Sequence, residues 1–188
     1  MILISSDNFN EYFTIEKLSP GHPIDNFNGD NPNEYTLFFK QDALKHQESH
    51  ISNTFVLVDK ITGDIAAYIS LIADAVTLQE DEKEQLQLPA IFFETLPALK
   101  IAKLAVSQLY TQKYRRLGSL MIDFARNIAD QCNEKFIACR VLTVDADIEY
   151  NKELPVFYEK NGFTALHNKK YTKKTRTLPM WTDIFPNQ

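Results

Sequence analysis

The sequence predicts a mixed α/β chain built around one sheet. Three observations carry that expectation. Residues 54–58 and 65–72 are two apolar, β-branched runs around the turn-rich connector 59–64, the pattern of an antiparallel hairpin. Residues 117–133 repeat Leu117, Leu120, Met121, Phe124, Ala125 and Ile128 at helical steps. Strand-like runs at 99–106 and 136–144 flank that helix.

The remaining elements follow in chain order. Residues 19–32 are rich in Pro, Gly, Asn and Asp and predict a loop. Asn33 is placed to cap a helix running through Tyr35, Phe38, Phe39 and Leu44. The acidic, Gln-rich segment 79–87 reads as a solvated helix or loop. In 99–106, Ile101 and Lys103 alternate with Ala102 and Leu104, which makes one strand face wetter than the other. Residues 153–160 predict a short helix with Pro155 in its first turn, where a missing N–H is tolerated. Gly162 supplies a left-handed terminator. A last strand is expected over 175–184, with Pro179 at an edge or a bulge. The order is helix, hairpin, strand, helix, strand, helix, strand, and the whole of residues 1–188 is expected to form a single domain.

Composition bounds the function classes. With 188 residues and 44% apolar residues the chain can bury a real core. Its formal charge is −5, and that acidic balance argues against nucleic-acid partners, which usually select basic surfaces. Cys132 and Cys139 are too few for a disulfide framework and sit in no zinc-like spacing. They read as core thiols of a reducing cytoplasm. The first six residues carry no basic region and no long apolar run, so neither a signal peptide nor a membrane partner is expected.

The chemistry concentrates in 98–163. The loop Lys113-Tyr114-Arg115-Arg116-Leu117-Gly118-Ser119 opens the long helix. Unpaired N–H groups and the dipole at a helix N-terminus suit a phosphate, and Gly118 permits close backbone approach. Taken alone, such a loop is equally a solvated basic surface. The second element runs from Asn151 to Phe163 and contains Tyr158. A phenol there can protonate a departing thiolate, or it can simply be a packed aromatic.

Together and in this order the two elements resemble the GNAT acetyltransferase superfamily. Leu104-Ala105-Val106 looks like the strand before that family's cofactor loop. Residues 113–118 occupy the place of its Q/R-x-x-G-x-G/A loop. Asn151, then Tyr158-Glu159-Lys160-Asn161-Gly162-Phe163, resembles its N-x-x-A-x-x-x-Y-E-K-x-G-F pattern. Lys113 replaces Gln or Arg, Arg116 replaces the first loop glycine, and Leu154 stands where Ala is common.

The resemblance implies a central mixed, mostly antiparallel sheet flanked by helices, with acetyl-CoA between two splayed parallel strands. It implies loop amides of Arg115 to Ser119 on the pyrophosphate, backbone of Leu104 and Val106 on the pantetheine arm, and Asn151 near the reactive end. The Val106 N–H would stabilise the oxyanion and Tyr158 would protonate the leaving thiolate. Glu94 is a candidate base or an exposed loop carboxylate. The four histidines form no visible constellation.

The layout from Phe27-Asn28-Gly29-Asp30-Asn31-Pro32 into the Phe38-Phe39 helix is similar to the GNAT branch of toxins that acetylate aminoacyl-tRNA, although that branch often has Cys where Gly29 or Asp30 stands. The acidic charge weighs against a tRNA acceptor, despite the basic tail at Lys169, Lys170, Lys173, Lys174 and Arg176. A small-molecule or protein amine is the expected acceptor. A homodimer is compatible with such a domain. A non-catalytic acyl-CoA-binding sensor is the alternative that the altered loop favours.

Overall fold

A computed structural model describes residues 1–29, 33–87, 94–168 and 176–185. In chain order the elements are β1 (Ile2–Leu3), α1 (Phe9–Tyr12), β2 (Phe13–Lys17), α2 (Asn33–Gln41), α3 (Ala43–Glu48), β3 (Asn53–Asp59) and β4 (Ile65–Val76). There follow α4 (Glu80–Gln85), β5 (Leu96–Val106), α5 (Gln108–Thr111), β6 (Tyr114–Arg115), α6 (Leu117–Lys135), β7 (Val141–Asp147), α7 (Leu154–Lys160), β8 (Thr164–Ala165) and β9 (Thr177–Asp183). Short 3₁₀ turns lie at Ile24–Asn26 and Leu166–Asn168.

The chain divides into two compact units. The first comprises 1–72 and 102–124, the second 73–101 and 125–188. Among the described residues the main sheet has the order β2-β3-β4-β5-β7-β9-β8. In the first unit β2 pairs antiparallel with β3, and β3 with β4, with a register shift at Leu57 and Val58. In the second, β5 and β7 run parallel, from Ala98 opposite Val141 to Ile101 opposite Val144. There β9 pairs antiparallel with both β7 and β8. The sheet is therefore mixed and mostly antiparallel, as expected.

Each unit has its own apolar centre. The first gathers Leu18, Phe27, Phe39, Ala43, Val56, Ile65 and Tyr68, with Ala105 of β5 packed against it. Phe39 stacks on Tyr68 at 4.4 Å between ring centroids, and Phe27 meets Phe39 edge-on at 4.9 Å. Stacked and edge-on rings suit the aromatic quadrupole, which makes this cluster specific as well as apolar. The second centre gathers Val76, Leu78, Leu86, Leu96, Ala98, Val141 and Trp181.

Several expectations need correction. Strand β7 starts at Val141, not at Phe136. Helix α6 carries on to Lys135, and the amides of Phe136 and Ile137 both return to the Cys132 carbonyl, which leaves their side chains 82% and 71% exposed. The Asn133 side chain then pairs with the Cys139 backbone in both directions, at 2.6 and 2.7 Å. Residues that looked like a strand are thus spent on ending a helix.

The first expected helix is two, broken at Asp42. Pro179 lies inside β9, but β8 covers only Met180 and Trp181, so the proline faces the side without a partner strand. Strands β1, β2, β6 and β8 are further elements; β1, β6 and β8 have two residues each, too few to carry a periodicity, whereas β2 has five. Cys139 is buried, and burial pushes its thiol up to about 11; Cys132 is half-buried. Among the described residues no helix is long and apolar enough to cross a membrane, and no group of three metal-ligating side chains occurs.

Candidate active site

The site residues expected from sequence fall in both units. In the first, β5 ends on five consecutive half-buried residues, Ala102 to Val106. Ala105 faces the aromatic centre, so by strand alternation Leu104 and Val106 face the opposite way. The chain then turns sharply. The Ser107 N–H reaches the Ala66 carbonyl at 2.8 Å, and the Gln108 N–H reaches the Asn28 carbonyl at 2.9 Å. Gly29 bridges to Ser107 as well. The segment Phe27 to Gly29 is therefore tied to the end of the strand that carries Val106. Asp30, Asn31 and Pro32 lie outside the described residues.

The basic loop is held from a direction the sequence did not announce. β1 pairs in parallel with β6, and the amides of Ile2 and Ile4 bond the carbonyls of Lys113 and Arg115 at 2.9 and 3.1 Å. Tyr114 is buried, with its ring edge-on to Phe13 at 5.0 Å and stacked on Tyr110 at 6.1 Å. The Tyr110 hydroxyl contacts Thr62 at 3.1 Å, and burial pushes its pKa up to about 12. The side chains of Tyr114 and Leu117 point into the protein, so each can serve a ligand only through its backbone.

Lys113, Arg115 and Arg116 are all exposed. Arg116 has φ +69°, the left-handed conformation that glycine takes without strain. The arginine thus holds a conformation that a glycine at this position would take without strain. Its carbonyl accepts the Leu120 N–H at 2.9 Å, closing the first turn of α6. Gly118 is buried and Ser119 half-buried within that turn.

In the second unit Asn151 caps the approach to α7. Its Oδ1 accepts the Glu153 N–H at 2.9 Å and its carbonyl accepts the Leu154 N–H at 3.1 Å. Tyr158 is 6% exposed, edge-on to Phe157 at 5.1 Å and to Phe163 at 5.4 Å. Gly162 follows with φ +84°, the expected terminator. Glu94 is exposed just before β5. The tail residues 169–175 lie outside the described residues, which leaves Arg176 of the basic tail, paired with Glu149 at 2.6 Å.

The chain superposes on solved structures over most of its length. It matches AtaT in complex with acetyl-methionyl-tRNAfMet with a TM-score of 0.70 at 16% identity, over 89% of this chain and 93% of that one. A tyrosine-to-phenylalanine mutant of KacT matches with a TM-score of 0.72 at 16% identity, over 92% and 95%. AtaTR bound with AcCoA matches with a TM-score of 0.69 at 16% identity, over 93% and 95%. This chain has the GNAT fold. No protein-family model matches the sequence, and no curated protein does.

These neighbours correct the acceptor argued from charge. The acidic balance had weighed against a tRNA partner, yet the GNAT-fold structures that this chain resembles include one holding an acetylated aminoacyl-tRNA. The physical error lay in using a sum. Helix α4 alone carries four carboxylates against one lysine, a net −3 of the chain's −5. Phosphate contacts depend on the cations at the contact surface, not on the total.

Proposed function

We propose that this chain transfers an acetyl group from acetyl-CoA to the amino group of an aminoacyl-tRNA. The observation that carries the reading is the likeness to AtaT, which was solved with acetyl-methionyl-tRNAfMet and, as AtaTR, with AcCoA. The loop's own chemistry fits the donor. Exposed Lys113, Arg115 and Arg116 supply charge for its phosphates, the left-handed Arg116 opens the helix as a glycine would, and Gly118 brings no Cβ.

In this reading the amides of Arg115 to Ser119 hold the pyrophosphate, with Lys113 and the Tyr114 backbone flanking them. The backbone of Leu104, Ala105 and Val106 aligns the pantetheine arm as an added strand would. Asn151 borders the reactive end. The amine lone pair forms the C–N bond, and the Val106 N–H meets the charge that develops on the carbonyl oxygen. The C–S bond then breaks, Tyr158 gives its phenolic proton to the sulfur, and the proton that leaves the nitrogen restores the phenol through solvent.

Acetyl-CoA binding by calorimetry, on the native chain and Gly118→Trp, is the first test; binding lost on substitution supports the loop. Acetylation of a panel of charged tRNAs follows. Tyr158→Phe should lower kcat by about 10²–10⁴ with donor affinity kept. A native chain that binds acetyl-CoA and acetylates no aminoacyl-tRNA would overturn the acceptor.

A further inference from the structure

Arg126 is a polar side chain that the proposed reaction does not use. It projects from α6, half-buried, toward the turn that ends α7. Its guanidinium donates to the Asn161 carbonyl and lies over the Phe163 ring, 5.9 Å from the centroid. The turn lies against it: a Cβ at Gly162, whose φ of +84° favours glycine, would stand in ordinary contact with the guanidinium at 3.5 Å and with the Thr182 hydroxyl at 3.6 Å.

The same turn holds Tyr158. The amides of Asn161 and Phe163 both bond the Tyr158 carbonyl, at 2.9 and 3.0 Å, and the Phe163 ring packs edge-on against the Tyr158 ring. The Asn161 side chain ties the turn back to the Phe157 carbonyl at 2.8 Å. The guanidinium thus grips the peptide three residues beyond Tyr158 and the ring that bounds it. A planar guanidinium can donate in its plane while its face lies on an aromatic, which an ammonium cannot reproduce.

We infer that Arg126 is a positioning residue for Tyr158, setting the direction of its phenol through the Asn161 carbonyl and the Phe163 ring. The inference rests on the proposed role of Tyr158 as the proton donor to the leaving thiolate. Proton transfer depends steeply on geometry, and a displacement of about 1 Å can cost on the order of 10²-fold in rate.

The test is a double-mutant cycle of Arg126→Met and Tyr158→Phe, read as kcat for acetyl transfer. It is combined with ¹⁹F spectra of chain labelled with 3-fluorotyrosine. The Tyr158 resonance is assigned by its loss in Tyr158→Phe. Expected is a fall in kcat of roughly 10- to 100-fold for Arg126→Met with the KM for acetyl-CoA within about twofold. No further fall is expected in the Tyr158→Phe background, and the Tyr158 resonance should shift. Arg126→Lys, which keeps a donor but not the plane, should fall between native and Met in both readouts.

An equal fall in both backgrounds, or an unmoved resonance, overturns the inference. If Arg126→Met does not fold, Arg126→Lys is judged by the same two criteria. Should the native chain transfer acetyl to nothing, the function fails while the resonance still decides whether Arg126 places Tyr158.

Discussion

The buried carboxylate of Glu82 offers the sharpest stability prediction. Its side chain is 4% exposed and accepts four hydrogen bonds. Oε1 takes the His167 N–H at 2.6 Å and the Trp181 indole N–H at 3.3 Å. Oε2 takes the Gln79 N–H at 2.8 Å and meets His167 Nδ1 at 3.0 Å. Glu82→Gln keeps the shape and turns one acceptor oxygen into a donor, so up to two buried donors face an N–H.

Each donor left unmatched costs about 1–3 kcal/mol. With the new amide nitrogen at the Oε2 position a change of His167 tautomer rescues one of the two, leaving the Gln79 N–H unmatched, so the expected loss is about 1–3 kcal/mol. For a chain of this length that is roughly 2–12 °C in Tm. Denaturant and thermal unfolding at about pH 7 measure it, treated as two-state. A loss below about 0.5 kcal/mol would refute the network.

The pH dependence has a definite sign. Burial raises the Glu82 pKa, but the backbone amides of Gln79 and His167, then the His167 side chain, outweigh it and hold the carboxyl below its ordinary 4.5. A depressed carboxyl stabilises the fold above the unfolded value, and that contribution is lost as pH falls through the folded value. The gap between native and Glu82→Gln should therefore close in acid and persist at neutrality.

Two further outcomes are expected. Cys132 should react with a thiol reagent before Cys139, because a thiol held near 11 has a thiolate fraction of only about 10⁻³ at about pH 8; equal rates in the folded protein would contradict the burial of Cys139. Arg116→Gly should leave stability unchanged or raise it by about 0.5–1 kcal/mol, since left-handed strain of about 1–2 kcal/mol is relieved against some added chain entropy. Urea unfolding measures it, and a clear destabilisation would mean that the Arg116 side chain holds the loop.

The sequence by itself determined what repeats within a few residues. The hairpin at Thr54 and Ile65, the amphipathic run of α6, the proline-started helix α7 and its Gly162 stop were all legible, because backbone periodicity and terminator chemistry are local. So were the loop from Lys113 to Ser119 and the motif from Asn151 to Phe163.

Only the tertiary structure decided what depends on partners distant in the chain. Glu82 lies in an acidic stretch that reads as solvated, and its one local sign was its place three residues after Gln79, where a capping box puts a glutamate. Its burial comes from His167 and Trp181, 85 and 99 residues away. The strand pairing of Ile2 with Tyr114 and the grip of Arg126 on Asn161 are likewise long-range. The left-handed Arg116 was hidden for a related reason: residue type states a preference, and surrounding contacts can override a penalty of one or two kcal/mol.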